Sequence, residues 1–253
     1  MIKFFRHIRK SLLMENKTSK YFKYAIGEIV LVIVGILIAL QINTWNEDRM
    51  VQVRIDSRLM NLVQDVDADI VEMEGIMERA GKRVTVTKAI LQGCGRTESF
   101  TESDSIFPVF RSEDFTNPNQ DISWLMTLDG HRATYDGLVS SGEFYLIEDQ
   151  GLAKDIQSYY AEVNEHQDAE RWNNQETWLI INRSKHRLGI GTYSKAVTLE
   201  KLIELASSDK QFGAELEHAY DAALGQHHQT DIMVSQAMDL VESIRSYKGS
   251  NRN

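Results

Sequence analysis

Between Tyr24 and Trp45 the chain reads YAIGEIVLVIVGILIALQINTW, the one stretch where apolar character is continuous rather than periodic. From Ala25 to Leu40 a single residue, Glu28, is charged. With Ile42 and the flanking aromatic residues the run reaches the roughly 20 residues that a helix needs to cross the hydrocarbon core of a bilayer. It predicts a transmembrane helix over residues 21–45, and with it a lipid bilayer as the first partner of the chain.

Charge predicts which way that helix points. Lys3, Arg6, Arg9, Lys10, Lys17, Lys20 and Lys23 precede the run, against one acidic residue, Glu15. The rest of the chain is acidic enough to bring the whole to a net charge of −9. Basic residues packed against one end of a span hold that end in the cytoplasm, so the N-terminus is expected inside and the acidic bulk across the membrane. An uncleaved anchor fits better than a signal peptide, because the apolar run is long and Ala39-Leu40-Gln41 lacks the small residues of a cleavage site. Cys94, the one cysteine, cannot form an internal disulfide. Nucleic acid is excluded as a partner of the acidic portion, which would repel phosphate.

Five segments follow. Residues 1–20 are a basic amphipathic segment, with Phe4, Phe5, Ile8 and Leu12 on one helical face, as in a helix lying among lipid headgroups. The alternative is an unstructured basic tail. After the span, residues 46–95 read as a stalk helix. Ile55, Leu59, Leu62, Val66, Ile70, Met73, Met77, Ala80, Val84 and Leu91 recur mostly at steps of three and four, which suits a coiled coil or an antiparallel bundle equally. Gly93-Cys94-Gly95 is the predicted stop. Residues 96–120, with both prolines, Pro108 and Pro118, are loop-like.

Residues 121–253 are predicted to form a helical domain. The helical pattern runs from Ile122 through Trp124, Leu125, Leu128, Tyr135 and Leu138, and Ser140-Ser141-Gly142 breaks it. Phe144 to Ile147 reads as strand or helical turn. Long helices are expected from about Gln150 to Leu188 and from Gln211 to about Tyr247, with a shorter one opened by Thr198 as N-cap. The fold class is therefore all-α.

The segment MIKFFRHIRKSLLMENKTSKYFKYAIGEIVLVIVGILIALQINTWNE resembles the N-terminal signature of a family of uncharacterised single-pass membrane proteins of Gram-negative bacteria, a domain of unknown function. The likeness continues more loosely through YDGLVSSG at 135–142 and Ile147 to Tyr159-Tyr160. The resemblance implies a bacterial inner-membrane anchor with a helical periplasmic portion, and it implies no activity.

Glu28 is the leading candidate site, since a carboxylate in a span is costly and points to a function. Its place near Lys20 and Lys23 also suits interface anchoring or hydrogen bonding to another helix, with a partner-facing proton site as the rarer alternative. Gly35 and Ala39 are a small-xxx-small pair with Gly27 near the same face. Such a strip lets helices approach closely, with Glu28, Gln41 and Asn43 able to hydrogen-bond across it.

A metal reading of His218, His227, His228 and Asp231 is the weaker one, because only His227 and Asp231 share a face. His166 is placed on a polar face. Asp65, Asp67 and Asp69 lack the glycine and distal glutamate of a calcium loop, and read as a solvated face. Trp124, Trp172 and Trp178 read as core, with a ligand pocket as the alternative. There is no G-x-S-x-G, phosphate loop or H-E-x-x-H.

The expectation is a non-enzymatic scaffold or accessory subunit without a cofactor, working as a homo-oligomer or with a partner membrane protein. Rival readings are a periplasmic sensor or ligand-binding module, and an ion-driven machine subunit using Glu28.

Overall fold

A computed structural model of the chain describes residues 18–98, 100, 115–189 and 197–250. The expected headgroup helix, with Lys3, Arg6, Arg9, Lys10 and Lys17, lies outside the described residues, as does most of the loop region with Pro108. Every regular element among the described residues is helical. They fall into two units, 1–56 and 57–253. Helix α1, Thr18–Gly93, contributes to both and has no break where span was expected to give way to stalk.

In the first unit α1 is the one element among the described residues. From Ile26 to Trp45 its large apolar side chains are all half-exposed or more, with Leu31 at 69%. Toward its polar end Thr44 donates to the Leu40 carbonyl at 3.1 Å and Asn43 Nδ2 to Glu47 Oε1 at 2.7 Å. Among the described residues, α1 holds the one stretch long and apolar enough to cross a membrane.

In the second unit three long helical segments pack together: the later part of α1, α4 (Gln150–Leu188) and α6 (Lys210–Ser250). The cross-links give their directions. Asp69 and Arg83 of α1 meet Tyr159 and Thr177 of α4 in the same order, so these two run parallel. Asp67 meets Arg245 while Arg96 meets Glu217, so α6 runs against them. Two parallel helices need a connection that travels back along their whole length. Here it consists of α2 (Pro118–Ser123), an extended stretch 124–132, α3 (Ala133–Ser141) and a 3₁₀ turn, Glu143–Leu146.

The expected helix from Ile122 to Leu138 is therefore interrupted, and distance explains why. The segment from Trp124 to Thr134 returns from Arg83 to Asp65 of α1, which are eighteen residues apart. At 1.5 Å per helical residue that is about 27 Å. Ten helical residues would cover about 15 Å, whereas ten extended ones reach about 33 Å. Gly130, at φ +72°, supplies a turn that other residues rarely adopt.

The other boundaries follow local chemistry. Gly95, at φ +77°, ends α1, with Arg96 N–H bonded to Leu91 O and Gly95 N–H to Gln92 O, a Schellman pair. Gly142 ends α3 at φ +75° and Gly189 follows α4 at φ +64°. Thr198 Oγ1 accepts from the Lys201 amide and so caps α5, Leu199–Ser208.

One end of the bundle is apolar, with Val84, Ile90 and Leu91 of α1 against Leu202, Phe212, Leu216 and Tyr220. Each such side chain contributes about 1.5–3 kcal/mol through burial. The buried residues of α1 include 59, 62, 66, 69, 73, 76, 80, 83, 87 and 90, a heptad-like series in which Asp69, Arg83 and Thr87 occupy core places. On α4 the buried series passes from Leu152, Ile156 and Val163 to His166, Glu170, Thr177 and Ile180. Trp172 and Trp178 are half-exposed, and so is Trp124, so the core reading of these tryptophans is corrected. The core face of α4 turns polar just where Trp172 and Trp178 lie, and these two fall off it.

Candidate functional site

The extended stretch 124–132 has no helix to satisfy its backbone, so its N–H and C=O groups need partners elsewhere. Side chains supply them from both flanking helices. On α4, Asn174 makes a two-way pair with Met126 (3.1 and 2.6 Å), Glu170 Oε2 accepts from Leu128 N at 2.7 Å, and Gln167 Nε2 donates to Leu128 O and Asp129 O. On α1, Glu72 Oε1 accepts from Asp129 N at 3.1 Å, Asp69 Oδ1 from His131 N at 2.7 Å, and Asp65 Oδ2 from Thr134 N at 3.2 Å. Residues 65, 69 and 72 lie one and two turns apart on a single face, so three carboxylates form a ladder for the amides of residues 129, 131 and 134. The reading of the alternating aspartates as a solvated face holds for exposed Asp67, which pairs with Arg245, and fails for Asp69, which is fully buried.

Asp69 is the centre. Its Oδ1 also receives Nδ1 of His131 at 2.8 Å, and its Oδ2 receives the Tyr159 hydroxyl at 2.8 Å. Tyr160 donates to His131 O at 3.2 Å, and its ring stacks on Tyr135 with centroids 4.3 Å apart. The hydrogen bond to Asp69 raises the His131 pKa, helped by the charges of Asp69, Glu72 and Asp65 and opposed by desolvation. Burial, then the Asp69 charge, raises the Tyr159 hydroxyl, which stays a donor. Among the described residues, Asp69, Glu72 and His131 are the one grouping of three metal-ligand types, with one ligand atom from each lying within 4.8 Å of the others.

A second polar layer lies deeper. His166 Nε2 sits 3.2 Å from Glu170 Oε1 and 3.4 Å from Thr230 Oγ1, and Gln226 Nε2 donates to the same Glu170 oxygen at 3.3 Å. Thr230 gives its own proton to Gln226 O at 2.8 Å, so His166 carries its proton on Nε2. His166, expected on a polar face, is buried. Arg83 is buried too, bonded to Thr177 Oγ1 at 3.4 Å and to Trp124 O, and desolvation pulls its pKa down to about 10. No sequence motif marks these residues. The available signal was positional, since Asp69, Arg83, His166 and Glu170 all continue helical series begun by apolar residues.

The span residues singled out from the sequence belong to the 1–56 unit, whereas this network belongs to the 57–253 unit. Gly27 and Gly35 have open space where a Cβ would stand. Ala39, Gln41, Asn43 and Lys23 are exposed, and Glu28 is half-buried. His228 and His218 are exposed on α6, with His218 edge-on to Trp172, and burial lowers the pKa of His227. The alternative reading, a pocket lined by tryptophan, does not describe the grooves found between α4 and α6. One, of about 290 Å³, is lined by Asp155, Ser158, Tyr159, Glu162, Gln236, Asp239, Leu240 and Ser243.

Residues 28–116 match DUF6090, a family of unknown function. Neither the curated proteins nor the solved structures contain a match to the chain.

Proposed function

We propose that this chain is a non-enzymatic, single-pass protein of the bacterial inner membrane. Its N-terminus is cytoplasmic, its helical bundle is periplasmic, and it serves as a scaffold or accessory subunit that binds through its span and stalk. The observation that carries this reading is the exposure of the apolar side chains from Ile26 to Trp45, which the described residues leave uncovered. Lipid satisfies part of such a surface. The open strip at Gly27 and Gly35, with Ala39 one turn on, suits close approach of another span, a second copy or a partner. Glu28, Gln41 and Asn43 then serve as hydrogen-bonding groups across that contact.

The test is native mass measurement of the full chain extracted in mild detergent, together with Gly35→Ile. An oligomer or a stoichiometric partner is expected, and Gly35→Ile should disperse it while leaving the helical content unchanged. A clean monomer with no co-purifying protein overturns the reading. Glu28→Gln sorts the alternatives: a proton-carrying subunit would lose a proton-motive-force-dependent phenotype with its assembly intact, whereas a scaffold would change in assembly alone.

A further inference from the structure

Three carboxylates and an imidazole meet where the return segment crosses α1. Asp69 is fully buried, and among the described residues the one basic group within ion-pair distance of it is His131. Asp65 and Glu72 add two further negative charges around the same imidazole. Arg132, next in the chain, is engaged with Asp136 at 3.0 Å and with Asn164. The local balance is thus strongly negative, in a place where burial makes uncompensated charge expensive.

A second observation concerns Glu72 alone. Its Oε1 accepts the Asp129 amide, but its Oε2 is shut off from solvent and receives no hydrogen bond. Glu72 as a whole is only partly buried, and no protein donor competes with a cation for that oxygen. From these two observations we propose that Asp69, Glu72 and His131 form a binding site for a first-row divalent cation of the zinc type, which clamps the return segment to α1.

The donor set fits that class. One imidazole nitrogen with two carboxylate oxygens suits zinc-like ions, whereas calcium and magnesium favour all-oxygen shells. His131 Nδ1 and Asp69 Oδ1 are 2.8 Å apart, and one Glu72 atom lies within 4.8 Å of both residues' ligand atoms. Metal–ligand bonds of about 2.0–2.2 Å close around such a trio with small side-chain movements. His131, half-exposed at its ring, has the room to make them. The ion takes the place of the Nδ1 proton, which leaves to solvent, and water fills the remaining positions. This inference is independent of what the span binds, because the residues concerned all lie in the 57–253 unit.

The test uses the full chain in detergent, stripped with a chelator and titrated calorimetrically with Zn²⁺. One ion per chain should bind and raise the unfolding temperature, with Mg²⁺ ineffective at the same concentration. His131→Ala and Glu72→Gln should each weaken binding by about ten-fold or more, and the double variant His227→Ala/His228→Ala should leave it unchanged. Absence of binding overturns the proposal. So does binding that both site variants leave intact, or binding lost with His227 and His228, which would mark an adventitious surface ion. Should His131→Ala fail to fold by circular dichroism, Glu72→Gln decides, since its amide oxygen still accepts the Asp129 N–H.

Discussion

The span and the return segment invert each other. From Ile26 to Trp45 an almost wholly apolar helix satisfies its own backbone and leaves its side chains exposed. From Trp124 to Arg132 a mixed segment forms no helix, and its backbone is satisfied by side chains of two other elements. The first is left uncovered by the described residues, and the second has its surroundings built in. Partner binding is best sought at the span, and the bundle's own integrity at the return segment.

Substitutions can break that contrast, and the largest effect is expected at Asp69. Asp69→Leu strips acceptors from the His131 amide and ring and from the Tyr159 hydroxyl. Leaving such donors unpaired is expected to cost about 3 kcal/mol in denaturant unfolding followed by circular dichroism. An unchanged midpoint would mean that the return segment is held by something other than the carboxylate ladder.

Next comes Gly93→Val. A Cβ at Gly93 would stand 2.5 Å from Ile203 Cδ1 and 2.8 Å from its Cγ1, so Ile203 must change its rotamer or α1 and α5 must move apart. Overpacking of this kind costs about 2 kcal/mol, and a variant as stable as the parent would show that the contact yields freely. Thr198→Ala removes the cap of α5 and should lower stability by about 1 kcal/mol, read in the same titration.

The smallest effect on the fold is expected from Gly35→Ile. Open space at that position predicts a change under about 0.5 kcal/mol in bundle unfolding, alongside altered association in detergent. A large loss of stability there would erase the contrast between the two regions, since it would give the span an internal structural role.

What the sequence determined by itself was local or continuous. The run from Tyr24 to Trp45 needed only composition. The ends of α1, α3, α4 and α5 were legible because Gly95, Gly142, Gly189 and Thr198 act through their own backbone or capping chemistry. The long helices from Gln150 and from near Gln211 were legible because their periodicity is sustained. The tertiary structure decided the rest. Hydrophobic periodicity reports apolarity rather than burial, so polar residues in core positions, Asp69, Arg83, His166 and Glu170, leave gaps in the pattern, and Asp69 and His166 are read from it as surface. The tryptophans were misread for the converse reason, since size and apolarity do not say which face a helix turns inward. The extended form of residues 124–132 depends on a distance between other elements. The parallel course of α1 and α4 set that distance, and the side chains of both helices then replaced the hydrogen bonds that a helix would have made for itself.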